Sequence, residues 1–227
     1  MAAGFSGNSS LIAGSILAVA LVVASCGSES LTTNGNTNSS PVAAASASPT
    51  APKTDSSGSG HGSSHDAMKS SPGAAGAPYD LQFLDTMVAH HQGAVDMAMM
   101  AATKAQHEEL KQFAAKIVTD QQKEISEMKR WREDWYAGKP EAVNMEMTGM
   151  MDSMMGMDMV KMGSASGTNF DLMFIDMMTP HHDGAVKMAQ EALTRAEHPE
   201  IKKLARSIMD SQAAEIKKMQ AWKTQWS

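Results

Sequence analysis

Residues 79–98 read YDLQFLDTMVAHHQGAVDMA, and residues 170–189 read FDLMFIDMMTPHHDGAVKMA. The two stretches align without a gap at an offset of 91 (170 minus 79), and the offset holds to the end of the chain. His107 pairs with His198, Gln121 with Gln212, Glu124 with Glu215, Met128 with Met219, Trp131 with Trp222 and Trp135 with Trp226. The chain is therefore internally duplicated, and its own two copies separate retained positions from drifted ones.

Each copy reads as two helices. In the second helix of the first copy, Leu110, Phe113, Ala114, Ile117, Gln121, Ile125, Met128, Trp131 and Trp135 recur at spacings of three and four, which marks one face of a helix. Ile201, Ala205, Ile208, Gln212, Ile216, Met219, Trp222 and Trp226 repeat the pattern. Asp80 and Asn169 are expected to cap the first helix of each copy, and Pro199 suits the first turn of the last. Two helices cannot enclose a core alone, so the economical fold is all-α, a four-helix bundle of two duplicated hairpins. Hairpins pairing between chains would give the same core in a homodimer, so monomer and dimer both stay open.

The remaining chain divides by composition. Leu11 to Ala24 form an apolar run too short to span a bilayer but of signal-peptide length, and Val23-Ala24-Ser25-Cys26 resembles a bacterial lipobox. This predicts a lipoprotein signal over 1–25, a lipidated Cys26 as membrane anchor, and a cell-envelope location. Met1 to Ser10 carry no Lys or Arg, so only the amino terminus supplies the positive charge usual ahead of such a run. Residues 26–78 are rich in Ser, Ala, Thr and Gly and read as a disordered stalk, with His61, His65 and Met68 as a candidate metal-collecting arm. The first hairpin occupies 79–137, a Met-rich connection 138–168, and the second hairpin 169–227.

The 227 residues carry a net charge of −6, which excludes a nucleic-acid binder built on basic charge. They include 22 methionines but one cysteine, so thiolate clusters are excluded and soft-metal chemistry must rest on thioether and imidazole. On the first helix of each copy, His90 and His91, and His181 and His182, share a broad face with Met87 and Met97, and with Met178 and Met188. Imidazole suits copper, zinc, nickel and iron, whereas thioether selects Cu(I) and, by the same logic, Ag(I). No histidine has a glutamate three residues before it, so a di-iron carboxylate site is not expected. Methionine at helical spacing is also ordinary core filler, the commoner role for Met128 and Met219. Glu124 and Glu215 could orient an imidazole from outside or belong to a polar flank. His107 and His198 sit at interhelical turns, where capping is the expected role.

The connection holds Met145, Met147, Met150, Met151, Met154, Met155, Met157, Met159 and Met162 among glycines and acids, a pattern that fits neither a helix stripe nor a strand. Three readings compete: a soft-metal loop, with Met150, Met151, Met154, Met155, Met157 and Met159 as ligands, a sacrificial pool for oxidants, and an adaptable docking surface.

The motif Asp-x-x-Phe-(Leu/Ile)-x-x-Met-x-x-His-His-x-Gly-Ala-x-x-Met-Ala, with its Gln-x-x-Glu-Ile-x-x-Met-x-x-Trp tail, resembles the bacterial domain-of-unknown-function 305 family over Tyr79 to Tyr136 and Phe170 to Trp226. The resemblance implies a ferritin-like four-helix arrangement and, as for some exported members, periplasmic copper or silver binding and copper resistance. Carried onto this chain, the motif ligands are His90, His91, His181 and His182, with Met87, Met97, Met178, Met188, Met128 and Met219. The expectation is an envelope protein binding Cu(I), with Cu(II) and Ag(I) left open, that buffers the metal or hands it to a transfer partner. No catalytic constellation is legible. A copper oxidase of Cu(I) or a small reductant, and an interaction module with a structural His-His core, are the alternatives.

Overall fold

The computed structural model describes residues 69–227. The signal segment, Cys26 and the His61, His65 and Met68 arm lie outside the described residues. Four long helices, α1 (Tyr79–Lys104), α2 (Glu108–Tyr136), α5 (Gly167–Arg195) and α6 (Pro199–Trp226), form a four-helix bundle, and two short ones, α3 (Met150–Met154) and α4 (Met159–Ser164), interrupt the connection. No helix among the described residues is long and apolar enough to cross a membrane.

The periodicity of the sequence determines which faces meet. Leu110, Phe113, Ala114, Ile117, Gln121, Ile125, Met128 and Trp131 are all buried on α2, as are Ile201, Leu204, Ala205, Ile208, Gln212, Met219 and Trp222 on α6. Pro199 opens α6, where its missing N–H costs no intrahelical bond. Helix α5 continues through Pro180, which leaves the Asp176 carbonyl without its usual partner four residues on.

Two hydrophobic clusters form, one towards each end of the bundle. The first joins Phe83, Leu84 and Met87 of α1 to Ala185, Met188 and Ala189 of α5, with Met128 and Trp131 of α2 and Ile201, Leu204 and Ile208 of α6. The second joins Ala94, Met97 and Ala98 of α1 to Phe170, Phe174 and Met178 of α5, with Leu110, Phe113 and Ile117 of α2 and Met219 and Trp222 of α6. The early half of α1 thus packs on the late half of α5 and the reverse, so the two copies meet antiparallel about a pseudo-twofold axis. Each fully buried Met or Phe contributes about 1.5–3 kcal/mol.

The copies are fastened to each other reciprocally. Asp80 is buried, and its carboxylate accepts from the backbone N–H groups of Glu197 and His198 and binds His198 Nδ1 at 2.6 Å. Asp171 does the same for Gln106 and His107, again with 2.6 Å to the ring. Trp135 stacks on His198 at 3.8 Å and Trp226 on His107 at 3.9 Å. This corrects the capping expectation. Asp80 caps the turn of the opposite copy instead of its own helix, because those N–H groups have no other acceptor there. Asn169 lies within α5, which begins at Gly167 behind Ser166.

The connection also differs from the sequence expectation. Met145, Met147 and Met150 are buried in the first cluster and Met162 in the second, so packing accounts for four of the nine methionines whose spacing fitted no stripe. The stripe was hidden because two short helices and a strap divide the segment. Gly149, at φ +89°, turns the chain into α3, which seats on α5 where Gly184 has no side chain. A Cβ at Gly184 would stand 2.4 Å from Ser153 Cβ and 2.5 Å from the Gly149 carbonyl oxygen. Lys69 to Pro78, assigned to the stalk by composition, dock on the connection: Ser71 N–H donates to the Val143 carbonyl at 2.8 Å and Ala74 is buried.

Candidate metal centre

Between the two hydrophobic clusters lies a layer of four fully buried histidines. His90 and His91 come from the middle of α1, and His181 and His182 from the middle of α5. The rings of His90 and His181 meet across the pseudo-twofold axis with centroids 3.8 Å apart. His91 and His182 turn instead towards the second helix of their own hairpin. His91 Nε2 lies 2.8 Å from Glu124 Oε2, and His182 Nε2 lies 2.7 Å from Glu215 Oε2. Glu124 and Glu215 are thus partners of the imidazoles, the first of the two roles the sequence allowed.

A carboxylate can only accept, so in each of these pairs Nε2 carries a proton, and in the neutral ring Nδ1 is the nitrogen left with a lone pair. Neither Nδ1 has a hydrogen-bond partner, and neither nitrogen of His90 or His181 has one. An unpaired buried polar group costs about 1–3 kcal/mol. Of the six such nitrogens in this layer, four present lone pairs when each ring carries one proton, and an occupant that accepts lone pairs would relieve their cost. Burial holds His90 and His181 well below the ordinary histidine range, and the neighbouring imidazoles reinforce this. Both rings are therefore neutral near pH 7, the form that ligates metal.

Met87, Met97, Met128, Met178, Met188 and Met219 are all fully buried. Met87, Met128 and Met188 belong to the first cluster and Met97, Met178 and Met219 to the second, a division that the pseudo-twofold axis preserves. Among the described residues no three His, Cys, Asp or Glu side chains converge as a metal site. A soft ion takes thioether beside imidazole, and these six methionines lie in the clusters on either side of the layer. Of the connection residues named as ligands, Met150 is core, Met154, Met157 and Met159 are partly buried, and Met151 and Met155 are exposed. Met157 approaches the layer. A Cβ on Gly93 would stand 3.3 Å from His181 Nε2 and 3.9 Å from the Met157 methyl. The paired glycines thus have different uses, room beside an imidazole at Gly93 and a seat for α3 at Gly184.

A groove of about 580 Å³ lies between α2 and α6, lined by Glu124, Glu215, Gln121 and Gln212 among others, so it reaches the carboxylate partners of the imidazoles but not the rings. The buried Gln121 and Gln212 each keep an unpaired Oε1. Sequence reasoning assigned these two only to the core face; their retention as polar residues on an otherwise apolar stripe was the available signal. It also missed Asp80 and Asp171 as clamps, although both recur with their histidine partners.

Fold and layer together define an all-helical, internally duplicated four-helix protein with paired buried histidines between methionine-bearing cores. The sequence profile of the domain of unknown function DUF305 matches residues 33–132 and 80–223, and the chain belongs to that family. Among solved structures, CopM in its Cu(I)-bound form is 41% identical, with a TM-score of 0.56, covering 65% of this chain and 96% of CopM. CopM in its Cu(II)-bound form is 43% identical at a TM-score of 0.57, covering 65% and 97%. A DUF305 protein of Streptomyces coelicolor is 28% identical at a TM-score of 0.59, covering 66% and 94%. CopM is also known in Ag-bound and apo forms. Among curated proteins none matches this chain.

Proposed function

We propose that this protein binds copper at the cell envelope, Cu(I) foremost and Cu(II) and Ag(I) as further ions, and buffers the metal or passes it on. The observation that carries this reading is the buried layer of six unpaired imidazole nitrogens on His90, His91, His181 and His182. The similarity to CopM, whose structures hold Cu(I), Cu(II) and Ag, supports the choice of ion. In this reading His90 and His181 donate nitrogen at the axis, and His91 and His182 donate Nδ1 with their carboxylates behind them. The flanking thioethers bias the layer towards the reduced ion. Imidazole accepts either oxidation state, and neither ligand type carries charge, so the ion stays exchangeable. Export and anchoring through Cys26 rest on the lipobox-like sequence and would place the site where thiols oxidise and thioethers do not form disulfides.

The test is a competition titration of the chain from Gly27 onward, under reducing conditions at pH 7, against a Cu(I) chelator. The expected result is stoichiometric withdrawal of copper from the chelator, abolished or strongly weakened when all four histidines are replaced. A protein that withdraws no copper would leave the histidines as structure alone and sink the reading.

A further inference from the structure

A cleft of about 810 Å³, open to solvent, lies between the α3–α4 turn and α5, with Met155, Met173, Met177, Asp158, Asp176 and Lys161 among its lining. Met155 is 68% exposed, the most exposed methionine among the described residues. Met173 and Met177 are one helical turn apart on α5, so their side chains are neighbours on one face. Met173 is partly buried and Met177 is 6% exposed, so both form the floor of the cleft and pack on the second cluster beneath it.

The duplication shows what these positions do when they are structural. At the offset of 91, Met173, Asp176 and Met177 correspond to Gln82, Asp85 and Thr86. In the first copy those three side chains hold the connection across α1. Gln82 Oε1 accepts from Asn144 Nδ2 at 2.7 Å, Thr86 Oγ1 from Asn144 N–H at 2.8 Å, and Asp85 Oδ2 from Ala142 N–H at 2.9 Å. In the second copy, among the described residues, no strap is bound by these positions, Asp176 pairs with Lys223, and thioethers stand where the amide and hydroxyl were. The face without a strap is an open cleft whose floor thioethers also pack on the second cluster, and the exposed Met155 overhangs it.

We propose that Met155, Met173 and Met177 form a second site, in this solvent-open cleft, for a soft monovalent cation of the Cu(I) or Ag(I) class, held by thioether sulfur alone. Three neutral sulfurs match the ligand softness and low coordination number of such an ion. Of the charged groups lining the cleft, Asp176 is paired with Lys223, and the formal charges of Asp158 and Lys161 offset one another, so thioether softness and not net charge would hold the ion. The site is separate from the histidine layer but close to it along the chain, since Met157 lies next to Gly93 on the far side of the same turn. The identity of the ion rests on the function proposed above; the cleft and its thioethers do not.

The experiment uses the full chain with 13C-labelled methionine methyl groups, assigned by single Met→Leu substitutions, and Ag(I) as a probe that needs no reductant. The Met155, Met173 and Met177 methyl resonances should move together on addition of Ag(I). The M155L/M173L variant should weaken that response at least about tenfold, the lower end of the loss seen when even an outer partner of a metal ligand is removed. M155L alone, at an exposed position, should weaken it without changing stability. If the three methyls stay unmoved while the histidine ring resonances respond, the surface site is overturned and the histidine-layer function stands. If neither set responds, both fall. An unchanged affinity in M155L/M173L also overturns the proposal.

Discussion

At the scale of single residues, the histidine layer makes two predictions. In the unfolded chain His90 and His181 take up a proton near pH 6.5, whereas burial keeps both neutral in the folded protein well below that. The unfolded state therefore binds more protons on the acid side, and stability falls as pH drops below 6.5. The slope is about 1.4 kcal/mol per histidine per pH unit. Thermal unfolding of the metal-free protein should show a lower Tm at pH 5.5 than at pH 7.5, and His90→Leu with His181→Leu should remove most of that difference. A Tm indifferent to pH across this range would show that the pair is not held buried and neutral. The second prediction concerns Glu124, whose carboxylate fixes the His91 proton on Nε2 at 2.8 Å. Glu124→Ala frees the ring to adopt the wrong tautomer and should weaken Cu(I) binding about 10–100-fold in a chelator competition. Glu124→Gln keeps an accepting oxygen and should cost much less. Equal losses in the two variants would mean that the charge, not the orientation, matters.

At the scale of the elements, the joint between hairpins depends on the two buried aspartates and not on the helix faces alone. Each carboxylate satisfies two backbone N–H groups and an imidazole of the opposite copy. Removing it leaves those donors at a helix start without an acceptor, so Asp80→Ala and Asp171→Ala should each cost about 3 kcal/mol or more. Urea unfolding is expected to show the two losses as near equals, since the clamps are related by the pseudo-twofold axis. A loss below about 1 kcal/mol would demote the clamp to an ordinary cap. The helices and their buried faces were legible from sequence because a spacing of three and four survives in both copies. The direction of Asp80 was not. A carboxylate near a helix start reads as a local cap, and only the antiparallel meeting of the copies brings Glu197 and His198 within its reach.

At the scale of the whole molecule, the four histidines were legible because the His-His pair recurs intact, and Glu124 and Glu215 were legible as candidates one turn before Met128 and Met219. The connection was not, because it has no second copy to be compared with. It joins the two copies, and in the fold it serves both cores. Met145, Met147 and Met150 complete the first cluster and Met162 the second, while Met151 and Met155 remain at the surface. A methionine excess read as a single feature therefore contains two populations that substitution should separate. Met150→Ala or Met162→Ala removes a buried side chain and should cost about 2–5 kcal/mol in urea unfolding. Met151→Ser with Met155→Ser should leave stability within about 0.5 kcal/mol, as surface changes do. Metal binding should sort the other way. The surface pair should lower the number of Ag(I) ions bound while the histidine layer still binds, and the core variants should act on binding only through folding. If the surface pair destabilised the fold as much as the core variants, the connection would be packing throughout, and the methionines would have no population free to meet a metal.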